Sequence, residues 1–342
     1  MTTPTALSSA GGIASWESVD RGTLRPTDLT PASQRLAMLR EKADHWLGFK
    51  HRPASPRWVR VDSYEEHSRY VSALRAESSR RRALEAGLTT ASKEFHVLAR
   101  CWICAQPRQL HVDYAYSFPV DGIETPNWRE HLKCPGCHLN NRMRAAIHFF
   151  ESVLAPGRGE SAVYITEQCT PMFSALSRRH PGLIGSEYLG DRVPLGESTP
   201  EGLRNESVTQ LTFPSSSFDF ILSFDVLEHV GRIGRALSEC RRVLRPGGTL
   251  LFTVPFYPER RENLVRAAED DDGSITHLLP PEYHGDPLST DGCLAFHHFG
   301  WQLLDAAREA GFERVEAALF WSRSYGYLGS HNTLFVARSG AE

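Results

Sequence analysis

One stretch constrains this chain more than any other. Residues 218–224, Phe-Asp-Phe-Ile-Leu-Ser-Phe, are nearly all apolar and carry no helical stripe, which is the pattern of a parallel strand covered on both faces. An acidic, histidine-bearing segment follows, from Asp225 through Glu228 and His229 to Val230. Ala236, Leu237, Cys240, Val243 and Leu244 then fall at helical spacing, Pro246, Gly247 and Gly248 stop that helix, and residues 249–254 resume strand text. The order strand, helix, strand is a βαβ unit.

The wording of this unit resembles class I S-adenosylmethionine-dependent methyltransferases of the type-11 group, in which the fourth strand reads FD.I.S.DVLEH and the next helix ends in RVLRPGG. Residues 218–229 and 242–248 carry those offsets here, and the resemblance extends over roughly residues 160–340. It implies an α/β fold, a doubly wound, Rossmann-like seven-stranded sheet with a reversed edge strand. It also implies transfer of a methyl group from S-adenosylmethionine to a small polar acceptor such as a sugar or specialised metabolite, with a hydroxyl acceptor favoured.

Composition agrees with an enzyme. A chain of 342 residues with 41% hydrophobic content can bury a large core, and its length suggests about two domains. The net charge of -3 offers no general attraction to nucleic acid or an anionic membrane. No apolar run approaches the ~20 residues of a membrane span. Met1 to Ile13 lacks the basic and apolar regions of a secretory signal, so the expected location is cytoplasmic. The expected organisation is a disordered tail over 1–30, a helical and four-cysteine region over 31–157, and the methyltransferase domain over 158–342.

Four of the seven cysteines are paired in sequence. Cys101-Trp102-Ile103-Cys104 and Cys134-Pro135-Gly136-Cys137 form two C-x2-C knuckles, separated by strand-like text at 109–118 and an Asp121-Gly122 turn suited to a ribbon. Two knuckles can present four thiolates tetrahedrally to Zn2+, and a closed four-sulfur site builds structure and performs no chemistry. Elsewhere in this region, Leu36, Leu39, Ala43, Trp46 and Leu47 mark a helix over 34–49. A second helix is expected over 70–86, with Arg80, Arg81 and Arg82 on a solvated face. Residues 140–154 should form a third helix linking the two regions.

The first strand of the expected sheet is 162–166. Class I methyltransferases usually follow it with a glycine-rich turn that lets the backbone approach the cofactor. Here the text is Glu167-Gln168-Cys169-Thr170-Pro171, without glycine. Thr170 is a good N-cap and Pro171 suits the first helical position, so a helix over 172–179 still points its N-terminus at the same crevice. The resemblance implies an altered cofactor loop in which Glu167, Gln168 and Thr170 take part.

Further cofactor contacts are expected at the next strand ends. Glu187, closing a second strand at 182–187, stands where such folds place a carboxylate for the ribose hydroxyls. Tyr188 would border the adenine ring. In a third strand at 206–213, Ser207 occupies the family's usual aspartate position, with Glu206 beside it, and Asp225 follows the fourth strand.

Three histidines are candidate general bases, because an unperturbed imidazole titrates near neutrality. His229 is tied to the fourth strand's end, while His284 and His298 lie in an insertion, residues 277–301, of the kind that covers the acceptor. Its His, Glu and Asp content also permits a metal, although no i, i+4 histidine pair is present. Two alternatives stand beside methyl transfer. One is a zinc-containing nucleic-acid or protein adaptor, supported by Arg80–Arg82 and Arg142–Arg144; the other is a cofactor-binding domain with different or no chemistry. No oligomeric state is implied.

Overall fold

The computed structural model describes residues 23–24, 53–90, 92–157, 160–270, 272–330 and 332–341. Its main sheet has eight strands: β1 (Thr23–Leu24), β2 (Arg57–Val61), β3 (Val163–Ile165), β4 (Ile184–Gly185), β5 (Phe218–Phe224), β6 (Leu244–Thr253), β7 (Phe312–Trp321) and β8 (Thr333–Ser339). They lie in the order β1-β2-β7-β8-β6-β5-β3-β4. The block β4-β3-β5-β6 is parallel, and β8 is the reversed strand, antiparallel to both β6 and β7. Strand order reverses between β3 and β5, the switch point beside which open α/β sheets bind ligands. The α/β, doubly wound class is therefore as expected.

Two details differ from the seven-stranded expectation. Strands β1 and β2, from the N-terminal region, extend the sheet beyond β7. β2 reads Arg-Trp-Val-Arg-Val and is almost wholly buried, so it belongs to the core and not to an appended module. The third strand expected at 206–213 is reduced to a parallel bridge between Glu187 and Asn205 and a turn joining Ser207 and Gln210. The cause is local: the Glu206 carboxylate accepts from the Arg204 guanidinium and from the Thr212 backbone N–H at 2.8 Å, which curls the segment back on itself.

The helices follow their sequence signals. The helix expected over 70–86 is two, α1 (Tyr64–Ala73), capped by the Ser63 hydroxyl, and α2 (Arg75–Leu88). α3 (Asn141–Phe149) starts where the Asn140 side chain accepts from the Met143 N–H, and continues as a π-turn through Leu154. α4 (Pro171–Ser177) has Thr170 as its N-cap. α5 (Ile233–Val243) and α6 (Gln302–Glu309) cover one face of the sheet with Leu237, Cys240, Leu303 and Leu304. The Pro-Gly-Gly text does not end α5 as expected: the helix stops at Val243, where Leu244 turns extended and pairs with Phe218, and Pro246 to Gly248 form the irregular start of β6, with Gly247 at φ 72°.

α3 and the four-cysteine ribbon share a core with the opposite face of the sheet. Phe150 meets Phe220 of β5 edge-on, and Trp102 stacks on His148 at 3.7 Å between centroids. The buried Arg144 guanidinium donates to the Tyr325 and Gly326 carbonyls in the loop between β7 and β8. The helix expected over 34–49 and most of the expected tail lie outside the described residues. Among those described, no helix is long and apolar enough to cross a membrane.

Candidate active site and metal centre

The four knuckle cysteines converge. Cys101 ends the hairpin strand Glu94–Cys101, Cys104 sits in the turn before Gln106–Asp113, and Cys134 and Cys137 come from the loop ahead of α3. The knuckles close through left-handed residues, Ala105 at φ 55° and His138 at φ 62°. The His138 N–H donates to the Cys134 carbonyl at 2.8 Å. Gly136 is required by space, because a Cβ there would stand 2.9 Å from Cys104 Sγ. All four sulfurs lie within 4.8 Å of one another, with Cys101–Cys137 and Cys104–Cys134 at 3.6 Å. A disulfide needs about 2.05 Å. Tetrahedral bonds of about 2.3 Å to zinc place sulfurs slightly under 4 Å apart, so the donor set suits that ion.

A second constellation lines a cavity of about 1180 Å³ at the carboxyl edge of the parallel strands, between Trp128, Arg129 and Met143 on one side and Tyr283, His284 and Gly285 on the other. Glu167, Thr170, Asp225, Glu228 and His229 contribute to its wall. Asp225, at φ 54°, receives Arg129 bidentately at 2.7 and 2.9 Å, Arg142 at 3.2 Å and the Thr253 hydroxyl at 2.8 Å. Burial opposes its charge, yet the two arginines hold its carboxyl well below the ordinary range. Glu130 pairs with the same two guanidinium groups and accepts from Asn140, so the ribbon region and β5 meet through two arginines and two carboxylates.

The glycine-free first turn is held by an acid. Glu187 Oε1 accepts the backbone N–H groups of both Gln168 and Cys169 at 2.7 Å. The Gln168 side chain bridges to the Gly202 carbonyl and the Arg204 N–H, tying the turn to the following segment. Close approach comes from Gly185 on β4, where a Cβ would lie 2.5 Å from the Phe173 ring and 2.9 Å from the Glu167 carbonyl. Glu167 itself is buried, accepts from the Thr170 hydroxyl, and leaves Oε1 without a hydrogen-bond partner. Burial pushes its carboxyl up to about 7, against the opposing Thr170 bond.

The histidines fall at different depths. His229 Nδ1 donates to the Leu294 carbonyl at 2.8 Å, which leaves Nε2 as the lone-pair nitrogen, and burial lowers its pKa. His284 stands edge-on to His229 at 5.0 Å between centroids. His298 lies behind them, stacked on Tyr257, and shares Glu282 Oε1 with His284 at 3.0 and 3.1 Å.

The structure thus gathers Glu167, Thr170, Asp225, His229 and His284 around one cavity, with Glu187 and Gln168 bracing its turn. It does not bring the others there. The Glu206 carboxylate is consumed by Arg204 and Thr212, the Ser207 hydroxyl pairs with Thr209 at 2.8 Å, Tyr188 is exposed, and His298 does not line the cavity. Arg129, Arg142, Glu228 and Glu282 were missed as site residues. Arg129 had no sequence signal; Arg142 had the Arg-x-Arg after the second knuckle, which pointed to a basic surface, Glu228 stood in the acidic segment after the fourth strand, and Glu282 in the His- and Glu-rich insertion.

Residues 186–252 match the family described as a methyltransferase domain. That span runs from the end of β4 through β5 and α5 into β6. The chain is 33% identical over 130 residues to a protein of Mycolicibacterium smegmatis provisionally named an S-adenosylmethionine-dependent methyltransferase, covering 35% of this chain and 49% of the relative. It is 30% identical over 142 residues to a provisionally named methyltransferase of Encephalitozoon cuniculi, covering 40% of this chain and 64% of the relative. The matches thus span about half and just under two thirds of those relatives. A solved S-adenosylmethionine-dependent methyltransferase from Mesorhizobium loti overlaps loosely, with a TM-score of 0.37 at 19% identity, covering 59% of this chain and 100% of that one.

Proposed function

We propose that this protein transfers a methyl group from S-adenosylmethionine to a small polar acceptor bound in the cavity at the sheet edge. The observation that carries this reading is the Glu187 carboxylate clasping the turn after β3, at the switch point of a sheet whose β4–β6 text matches a methyltransferase domain. Glu187 does two things in this reading. Oε1 replaces the missing glycines as the organiser of the turn, and its second oxygen is offered to the ribose hydroxyls. Tyr188 borders the adenine. Glu206 and Ser207, engaged elsewhere, do not read it.

S-adenosylmethionine, when bound, supplies an electrophilic methyl on a sulfonium. The chain's own contribution is to hold the acceptor in line and exclude water, with Trp128, Phe256 and Tyr257 among the apolar wall residues. For a hydroxyl acceptor, His229 Nε2 takes the proton; its lowered pKa keeps it neutral and receptive near pH 7. Cys101, Cys104, Cys134 and Cys137 hold structural Zn2+, and four clustered free thiols fit a reducing, cytoplasmic setting.

The adaptor reading is weakened at two of its arginines. Arg142 pairs with Asp225 and Arg144 is fully buried, while Arg80 and Arg81 pair with Glu77 on an exposed helix face.

Calorimetry with S-adenosylmethionine and S-adenosylhomocysteine tests the proposal. The wild type should bind both, and Glu187→Ala should weaken binding by roughly 2 to 3 kcal/mol. No binding by the wild type would turn the reading toward an inert domain. His229→Ala should retain that affinity and lose about 10² to 10⁴ in turnover. Wild-type rates in this variant would leave positioning alone to carry the reaction.

A further inference from the structure

The cavity holds a cluster that methyl transfer uses only in part. Glu228, His229 and His284 each present a ligand atom, and the three atoms lie within 4.8 Å of one another. Glu228 is 1% exposed; its Oε1 faces His229 Nε2 at 3.8 Å, and its Oε2 has no hydrogen-bond partner. A carboxylate oxygen buried without a donor is costly and calls for a partner.

The two imidazoles are oriented from behind. His229 Nδ1 is fixed by the Leu294 carbonyl at 2.8 Å, and His284 Nε2 by Glu282 Oε1 at 3.1 Å. Glu282 is itself anchored by His298 and by Arg266, the latter at 3.3 Å. Each ring therefore has one nitrogen committed to an oxygen acceptor and one left over. Metal-binding histidines are held in this way, the outer acceptor setting the tautomer and raising the basicity of the ligating nitrogen.

We propose that Glu228, His229 and His284 bind a divalent first-row transition ion. Two imidazoles and a carboxylate suit Zn2+, Fe2+ or Mn2+ and leave coordination positions open, in contrast to the closed four-thiolate set. All three residues line the cavity, so those positions face the space assigned to the acceptor, where water or an acceptor oxygen completes the shell. The ion and a proton compete for the same Nε2 lone pair, so the base role given to His229 under methyl transfer belongs to the metal-free protein. The inference does not depend on methyl transfer.

Cobalt separates the two metal sites by colour. The protein, purified reduced and with the cysteine site filled, is titrated with Co2+, and bound equivalents are counted with and without the thiolate-to-cobalt charge-transfer band. The wild type should take up one equivalent whose spectrum lacks that band. Glu228→Gln and His284→Ala should each weaken its uptake at least about 100-fold, and Glu282→Gln, in the outer shell, about 10- to 100-fold. Near-ultraviolet circular dichroism checks the fold, and the half-exposed His284 and Glu282 are the decisive variants if Glu228→Gln does not fold. No thiolate-free equivalent in the wild type, or wild-type uptake in the His284 and Glu282 variants, would overturn the proposal.

Discussion

The four-cysteine ribbon and the carboxyl edge of the sheet are ordered by different means. In the ribbon, two short turns with left-handed residues each deliver two sulfurs, and the turns then close on one another where Gly136 clears the space. At the edge, convergence is long-range. Arg129 reaches Asp225 across 96 positions of sequence, against 36 and 30 for the sulfurs that meet across the two knuckles. The ribbon gathers four thiols in a donor set suited to a cation, whereas the edge balances its own charge, two arginines against Asp225 and Glu130. A metal-built unit should fail all at once, and a charge-balanced one by degrees.

The largest effect tests the first half of that contrast. Structural zinc contributes apparent folding free energy on the order of 10 kcal/mol, so Cys104→Ser should release the ion and unfold the ribbon. The loss should spread, because Arg323 holds the Leu98 carbonyl and Gly326 packs against Leu110 and Ala99. Elemental analysis and circular dichroism read both results. A reduced wild type without zinc, or a Cys104→Ser variant with an intact ribbon, would break the contrast from the ribbon side.

The edge should give way more gently. Asp225→Ala leaves Arg129 and Arg142 facing one another with only Glu130 between them. Losing one partner of a buried pair costs about 3 to 5 kcal/mol, and partial exposure here favours the lower figure. Denaturant titration of the zinc-loaded protein should show this loss with zinc content unchanged. A loss under about 1 kcal/mol would mean that packing, and not charge, joins the two regions.

The same division decided what could be read in advance. The βαβ unit, the Thr170 cap and the paired knuckles are patterns over a few residues, and all of them are found where the text placed them. The third strand was misjudged because Glu206 spends its carboxylate on Arg204 and Thr212, a side-chain choice that strand propensity does not encode. The role of β2 was missed because five residues carry no sign of their partner, β7. Glu187 could be singled out by its distance from the first turn, but its grip on the Gln168 and Cys169 amides could not. Arg129 offered nothing until the fold brought it to Asp225.

The smallest effect sharpens the comparison through pH. The cavity-lining Glu167 carboxyl is raised to about 7 by burial, above an unfolded value near 4.5. A raised carboxyl stabilises the folded chain fully below the unfolded value, and that contribution is lost as pH climbs from about 4.5 through about 7. The loss amounts to about 3 kcal/mol. Taken relative to their difference below about pH 4, where both side chains are neutral, Glu167→Gln should gain about that amount of stability over the wild type at pH 8, judged by denaturant titration at both pH values. Comparing the two proteins at each pH cancels every contribution that they share, the ribbon's included. An unchanged difference at pH 8 would show that the buried carboxylate finds a donor when it ionises, and the edge would then be better neutralised than its two arginines suggest.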